Sequence, residues 1–282
     1  MRCAWQSFIE LLPIWMRDFV DKHGQDTLQE LRLRINAPPQ LKLKQGVVTM
    51  NRSVTSDDLN YCIEVATKYS PWSVSSASKC YYTAQGGHRI GLCGNVLVSN
   101  GQVVGVQELS SLSIRVARDF PGISKSLSEL RGSVLIVGQP GSGKTTLLRD
   151  YVRQLSLDDK NSITVVDERQ EIFPFVDGSF CFPVGINTDV LSGCSKASGI
   201  EAALRNTGPT VIAVDEITAN EDCTALVRAG WCGVDLIATA HAGSRDDLFC
   251  RPVYKPLVET RLFENLLIMH PDKSWHVERL GL

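Results

Sequence analysis

Lys144 stands in the stretch of the sequence best suited to phosphate chemistry. Gly138-Gln139-Pro140-Gly141-Ser142-Gly143-Lys144-Thr145 matches the pattern G-x-x-x-x-G-K-[ST], with Thr146 following. Glycines at Gly138, Gly141 and Gly143 let a backbone curl so that successive N–H groups face one anion, and a helix N-terminus adds the positive end of its dipole. Within it, Lys144 is expected to bridge β- and γ-phosphate oxygens and the Thr145 hydroxyl to ligate Mg²⁺. The residues expected to bind ATP are therefore Gly138, Gln139, Pro140, Gly141, Ser142, Gly143, Lys144, Thr145 and Thr146.

Acids at strand ends come next. In TVIAVDEI, Thr210 to Ile217, four apolar residues lead into Asp215 and Glu216, so Asp215 is expected at Mg²⁺ and Glu216 as the group that polarises the attacking water. VVDER places Glu168 at another strand end, as a second water-orienting candidate. ATAH ends in His241, which is suited to contact a γ-phosphate and report on it. A transition state of this kind also needs positive charge opposite the transferred group. Arg32, Arg34, Arg89, Arg115 and Arg118 are candidates from the first half of the chain, with Arg115 preferred because SLSIRVAR is the last strand before the linker.

These groups need elements to aim them. Short apolar β-branched runs at 133–137, 162–166, 210–214 and 234–240 read as strands of a central parallel sheet, alternating with helices at 144–155, 198–207 and 220–232. Ser244 and Asp247 have capping-box spacing for another helix, and LLIMH and WHVERL suit a terminal hairpin. Before that, the first 20 or so residues read as one amphipathic helix, 28–50 as three strands and 56–69 as a helix. RIGLCGNVLV, QVVGVQ and SLSIRVA read as a hairpin turning at Asn100-Gly101 plus one further strand. The class is thus α/β, with a smaller α+β N-terminal domain over 1–130 and the P-loop domain over 131–282.

Composition agrees with two globular domains: 282 residues, 43% hydrophobic and 21% charged, with a net charge of −2. The charge is uneven, +3 over 1–130 and −5 over 131–282. Bulk attraction to nucleic acid is not expected, and no apolar stretch is long enough to span a bilayer. Nine cysteines without a CxxC pair suit a cytoplasmic protein with free thiols.

Taken together, LQELRLRINAPPQL, GGHRIGLCG, SSLSIRVAR, GQPGSGKTTLLRD, VVDERQEI, DVLSGCSKASG, VIAVDEI and TAHA resemble the stage III sporulation AA family and, more distantly, type II and type IV secretion ATPases. That resemblance implies a RecA-like C-terminal domain with an acidic box at Asp167 to Glu171, an acid pair at Asp215-Glu216 and a histidine box at His241. It also implies a hexameric ring, arginines reaching the nucleotide from the N-terminal domain, and a cytoplasmic mother-cell location beside a membrane-embedded sporulation channel. Thr218-Ala219-Asn220 departs from the family where a glycine is expected first. Two alternatives remain: a ring scaffold that binds ATP with little turnover, and an ABC-type domain suggested by LSGC at 191–194. The latter lacks room between Lys144 and Asp215 for a helical subdomain, and no NKxD motif supports a GTPase.

Overall fold

A computed structural model describes residues 1–68 and 80–280. It divides into two compact units, Met1–Asp119 with Pro174–Phe182, and Phe120–Phe173 with the chain from Pro183 onward. The border therefore falls at Asp119–Phe120 instead of 130/131, and a segment from the middle of the α/β half belongs with the first unit.

The first unit begins with α1 (Trp5–Glu10) and α2 (Ile14–Gly24), where one helix was expected. Pro13 separates them, because its ring cannot continue a helix and it serves instead as the N-cap of α2. Strands β1 (Leu28–Arg34), β2 (Gln40–Leu43) and β3 (Gly46–Thr49) follow, then α3 (Ser56–Thr67), β4 (Tyr81–Thr83), β5 (Arg89–Ser99) and β6 (Gln102–Arg115). Helix α3 is capped by Thr55 and Asp58 in a reciprocal box, and Tyr69, expected on it, lies outside the described residues. The six strands form an antiparallel sheet in the order β3-β2-β1-β6-β5-β4. QVVGVQ and SLSIRVA are one continuous strand, not two, since register shifts opposite Gly94 absorb the irregularity without breaking the ladder. Phe8, Leu12, Met16, Leu31, Ile90 and Ile114 fill the core between this sheet and the helices.

The second unit runs β7 (Val134–Gly138), α4 (Lys144–Leu155) and β8 (Ile163–Asp167). The chain then makes the small hairpin β9 (Phe175–Val176) and β10 (Ser179–Phe180) of the first unit. It returns as β11 (Thr188–Ser192), α5 (Lys196–Asn206), β12 (Val211–Val214), α6 (Asn220–Trp231) and β13 (Asp235–Ala240). Last come α7 (Arg245–Cys250), α8 (Lys255–Glu259), β14 (Asn265–Met269) and β15 (Trp275–Arg279). The sheet order is β11-β8-β12-β13-β7-β14-β15, parallel except for β15. Strands β7, β8, β12 and β14 are buried at every position, as a sheet covered on both faces requires. Their carboxyl ends lie on one edge, so whatever follows them is collected there.

The start of this unit is tied to the helix that follows the P-loop. Buried Asp150 of α4 accepts hydrogen bonds from Gly122 N and Ser124 N at 2.9 and 2.8 Å, from Ser124 Oγ at 2.8 Å and from Arg153 at 3.0 Å. These bonds hold residues 122–124 to α4 within the second unit. Burial pushes the Asp150 carboxyl pKa up, but the hydrogen bonds from Ser124, Gly122 and Arg153 outweigh it and hold the group below its ordinary value. A depressed carboxyl pKa stabilises the fold above the unfolded value of about 3.9, and the contribution disappears as pH falls through the native pKa. Asp150→Ala is expected to lose about 3 kcal/mol in denaturant unfolding at neutral pH, the cost of leaving buried N–H donors without an acceptor. The gap to the parent should narrow as the same titration is repeated toward about pH 3. A difference independent of pH would show that the carboxylate charge is not what matters.

Candidate functional site

Residues Gly138 to Lys144 pass from the end of β7 into the first turn of α4. A Cβ on Gly138 would lie 2.6 Å from Ser142 Oγ, so the loop closes only on a bare backbone there. Gly143 has φ of 101°, in the left-handed region that favours glycine, and as N-cap of α4 it has no side chain to occupy the helix's first N–H groups. Those donors are left for an external acceptor. Ser142 Oγ is buried without a hydrogen-bond partner. Lys144 is buried, and its Nζ donates to the carbonyls of Gly138 and Gln139 at 2.9 and 3.1 Å. Desolvation lowers its pKa, while Asp215 and Glu216 push it back up.

Asp215 and Glu216 follow β12, and His241 follows β13, the strand between β12 and β7. Thr145 Oγ1 donates to Asp215 Oδ2 at 2.7 Å, and Thr239 Oγ1 donates to Asp215 Oδ1 at 2.5 Å. Both carboxylate oxygens are thereby aimed. His241 Nδ1 lies 3.2 Å from Lys144 Nζ and its Nε2 lies 3.0 Å from Glu216 Oε1, so the imidazole bridges the lysine and the glutamate. Glu216 has φ of 50°, an uncommon conformation for a side chain of its size. Its N–H donates to Thr239 Oγ1 at 2.7 Å, which holds that turn. Thr145, Asp215, Glu216, Lys144 and His241 thus form one connected group.

Around them stand Glu168 and the acidic box, together with Lys196, Asp222, Tyr254 and Arg149, which the sequence analysis did not single out. Arg169 pairs with Glu216 Oε2 at 3.1 Å. Glu168 points to the same small cavity as Asp215 and Glu216, where buried Lys196 from α5 meets it at 2.5 Å and also lies 3.7 Å from Asp222. Tyr254 Oη accepts from His241 N at 3.1 Å and fixes the end of β13. Asp167 plays a structural part: its carboxylate accepts from the N–H groups of Glu171, Ile172 and Phe173, while buried Arg149 donates to the carbonyls of Glu171 and Ile172. Burial pushes the Asp167 pKa up to about 6 against the hydrogen bonds from Phe173 and Ile172. Thr218-Ala219 is accounted for by Asp222, whose carboxylate accepts from both N–H groups at the start of α6. The LSGC stretch is the end of β11 and the Ser195-capped entry to α5.

The expected arginines belong to the first unit. Arg32 pairs with Glu30, Arg34 donates to Gln40, Arg89 lies over Tyr81, and Arg118 donates to the carbonyls of Gln25 and Leu28. Arg115 is exposed at the end of β6, opposite Glu30 of β1 and Arg89 of β5. Arg115 belongs to the first unit, and the group around Lys144 to the second.

A family model for sporulation stage III, protein AA, matches residues 6–278. The chain belongs to the sporulation stage III protein AA family. Its sequence is 36% identical over 278 residues to stage III sporulation protein AA of Bacillus subtilis (strain 168), covering 94% of this chain and 91% of that one. It is 28% identical over 168 residues to the type II secretion system protein E of Pectobacterium carotovorum subsp. carotovorum, covering 56% of this chain but 32% of that protein. Among solved structures, the pilus retraction motor PilT with bound ADP aligns with a TM-score of 0.57 at 18% identity, covering 91% of this chain and 78% of that one. This member of the stage III AA family therefore has the RecA-like fold, and its sequence relatives include a type II secretion system protein.

Proposed function

We propose that the chain is an ATP-hydrolysing motor subunit that energises a mother-cell to forespore channel or secretion complex during endospore formation. The observation that carries this reading is the continuous link Lys144–His241–Glu216 beside Thr145–Asp215, which joins a phosphate-binding amine to a carboxylate able to act on water. The P-loop N–H groups and Lys144 bind and orient the triphosphate, and Glu216 accepts a proton from the attacking water. His241, touching both Lys144 and Glu216, is placed to sense whether a γ-phosphate is present. Glu168, held by Lys196, helps to order water at the cavity mouth.

Thr145 Oγ1 and Asp215 would hold Mg²⁺, and an all-oxygen pair of this kind suits a hard cation that otherwise keeps waters and phosphate oxygens. Among the described residues no cluster of three or more His, Cys, Asp or Glu could hold a metal by itself. Bound there with a nucleotide, such an ion would neutralise charge on the phosphates.

By resemblance the subunits assemble as a homo-oligomeric, hexameric ring in the mother-cell cytoplasm, peripheral to a membrane-embedded sporulation channel. No described helix is long and apolar enough to cross a membrane, so in this reading a membrane protein partner receives the work. Arg115 acts across the subunit interface as the finger opposite the γ-phosphate. Mixing Arg115→Ala with Glu216→Gln subunits should then restore part of the activity that each lacks alone, measured as phosphate release; absence of rescue at every ratio counts against an arginine supplied in trans.

One observation favours a second reading, an ATP-binding ring scaffold. Glu216 is engaged by both Arg169 and His241, which would restrain it as a base. Phosphate release measured alongside sizing with and without ATP separates the two: assembly with release supports the motor, and assembly without release supports the scaffold.

A further inference from the structure

Arg169 and Lys196 line the small cavity that also holds Glu168, Asp215 and Glu216, and the two cations are held differently. The Lys196 side chain is 4% exposed and lies between Glu168 and Asp222. The Arg169 side chain is 45% exposed, and its Nη1 donates to Glu216 Oε2 at 3.1 Å while His241 Nε2 lies 3.0 Å from Glu216 Oε1. An ion pair so open to water contributes little to stability and is readily exchanged for a stronger one. Lys196 is fixed in the fold, whereas Arg169 is placed to change partners.

The backbone that presents Arg169 is braced. Strand β8 ends at Asp167, whose carbonyl accepts from Gln170 N at 3.2 Å and whose carboxylate accepts from the N–H groups of Glu171, Ile172 and Phe173. Arg149, on the helix that begins at Lys144, ties the same turn to the P-loop helix through the carbonyls of Glu171 and Ile172. In the sheet, β8 lies beside β12, β12 beside β13 and β13 beside β7. Arg169, Glu216, His241 and the P-loop therefore follow one another along the carboxyl edge. Lys144, His241, Glu216 and Arg169 touch in that order, at 3.2, 3.0 and 3.1 Å. A γ-phosphate on Lys144 would bring a second anion against Glu216, and Arg169 is the cation already paired with that carboxylate.

We propose that Arg169 is a catalytic residue supplied by the same subunit: when ATP binds, its guanidinium moves from Glu216 Oε2 to the γ-phosphate, freeing the base as it stabilises the transferred group. A terminal phosphate carries about two negative charges and three acceptor oxygens, against a single charge on the carboxylate, so the guanidinium fork gains by the exchange. Rotation of an exposed side chain suffices, because the braced turn beneath it does not have to move. Water then adds its oxygen to the γ-phosphorus and gives one proton to Glu216. The bond from that phosphorus to the β,γ-bridging oxygen breaks, ADP leaves with the oxygen, and Glu216 passes its proton to the released phosphate. With ADP alone Glu216 stays paired, which keeps the base idle. The inference rests on the ATP-hydrolysis part of the proposed function and gives its site an arginine in cis besides Arg115.

The test uses the full chain with Mg²⁺ and ATP. Arg169→Ala should release phosphate about 10³-fold more slowly, the lower end of what such an arginine contributes, with ATP affinity within about threefold of the parent. Arg169→Lys, which keeps the charge without the fork, should fall between the two. ADP with aluminium fluoride mimics the transferred phosphoryl group and should bind Arg169→Ala at least about 100-fold more weakly than the parent, although ADP alone binds both equally. A merely structural loss would weaken both ligands. The circular dichroism spectrum should be unchanged, and guanidinium ion at a non-denaturing concentration should restore part of the release. Mixed with Glu216→Gln subunits, Arg169→Ala should show no rescue, since one subunit must hold both groups. Faster release by Arg169→Ala would make Arg169 only a restraint on Glu216, and unchanged release would give it no part in the reaction; either overturns this inference alone. Rescue in the mixture overturns its placement in cis. A parent that neither releases phosphate nor prefers ADP with aluminium fluoride to ADP overturns the hydrolysis reading as well.

Discussion

Lys144→Ala should abolish nucleotide binding, with ATP affinity falling at least about 100-fold, or about 2.7 kcal/mol. The parent lysine is buried and donates to the Gly138 and Gln139 carbonyls and to the His241 imidazole; the nearby carboxylates Asp215 and Glu216, which it also attracts, keep Thr145, Thr239, Arg169 and His241 as partners when it is removed. Folding stability should therefore change little, while the ligand loses its one cationic anchor in the loop. A thermal unfolding series gives both readings at once. ATP at 100 times its dissociation constant stabilises the parent by about 2.7 kcal/mol, and that gain should vanish in Lys144→Ala although the unliganded midpoint stays close to the parent. Retained ATP stabilisation would remove Lys144 from the binding site.

Glu216→Gln should bind ATP normally and turn it over roughly 10²- to 10⁴-fold more slowly, the range a positioned general base contributes. The substitution isolates proton acceptance. Gln has the same length, and the left-handed backbone at φ of 50° costs it no more than it costs Glu. The amide can still meet His241 Nε2, which lies 3.0 Å from Oε1 in the parent, whereas the ion pair with Arg169 is lost. Single-turnover phosphate release beside a filter-binding measurement separates the steps. Unchanged release in the variant would dismiss Glu216 as the base, and weakened binding with a normal single-turnover rate would assign it to ground-state contacts.

The parts of the site that local chemistry dictates were legible in the sequence, and the parts that need another element were not. The P-loop is a contiguous run whose glycines and lysine act together, and Asp215, Glu216 and His241 each sit directly after an apolar strand. Thr239 is also on a strand, but its role depends on β13 lying beside β12. Lys196 comes from α5 and meets Glu168 only once β11 has brought that helix back to the sheet. Strand β11 carries no such signal because an edge strand need not be apolar: polar Thr188, Asp189 and Ser192 flank only Val190 and Leu191. The acidic box was legible as a strand end, yet its first member proves to hold a loop. Nothing in VVDERQEI distinguishes a carboxylate that accepts three N–H groups from one that faces solvent. Most helices appeared within two residues of their expected limits. The one expected at the N-terminus divides at Pro13, where apolar spacing continues but a helix cannot.

The hairpin Pro174–Phe182 completes a unit whose remaining residues end at Asp119. On a ribosome adding roughly 5–20 residues per second, the chain from 120 to 182 takes about 3–13 s to emerge. During that interval the first unit exists without its last piece. A protein cut or terminated at the border between the units would remain in that unfinished state indefinitely, so the order of synthesis, and not the order of the sheet strands, decides when the first unit can close.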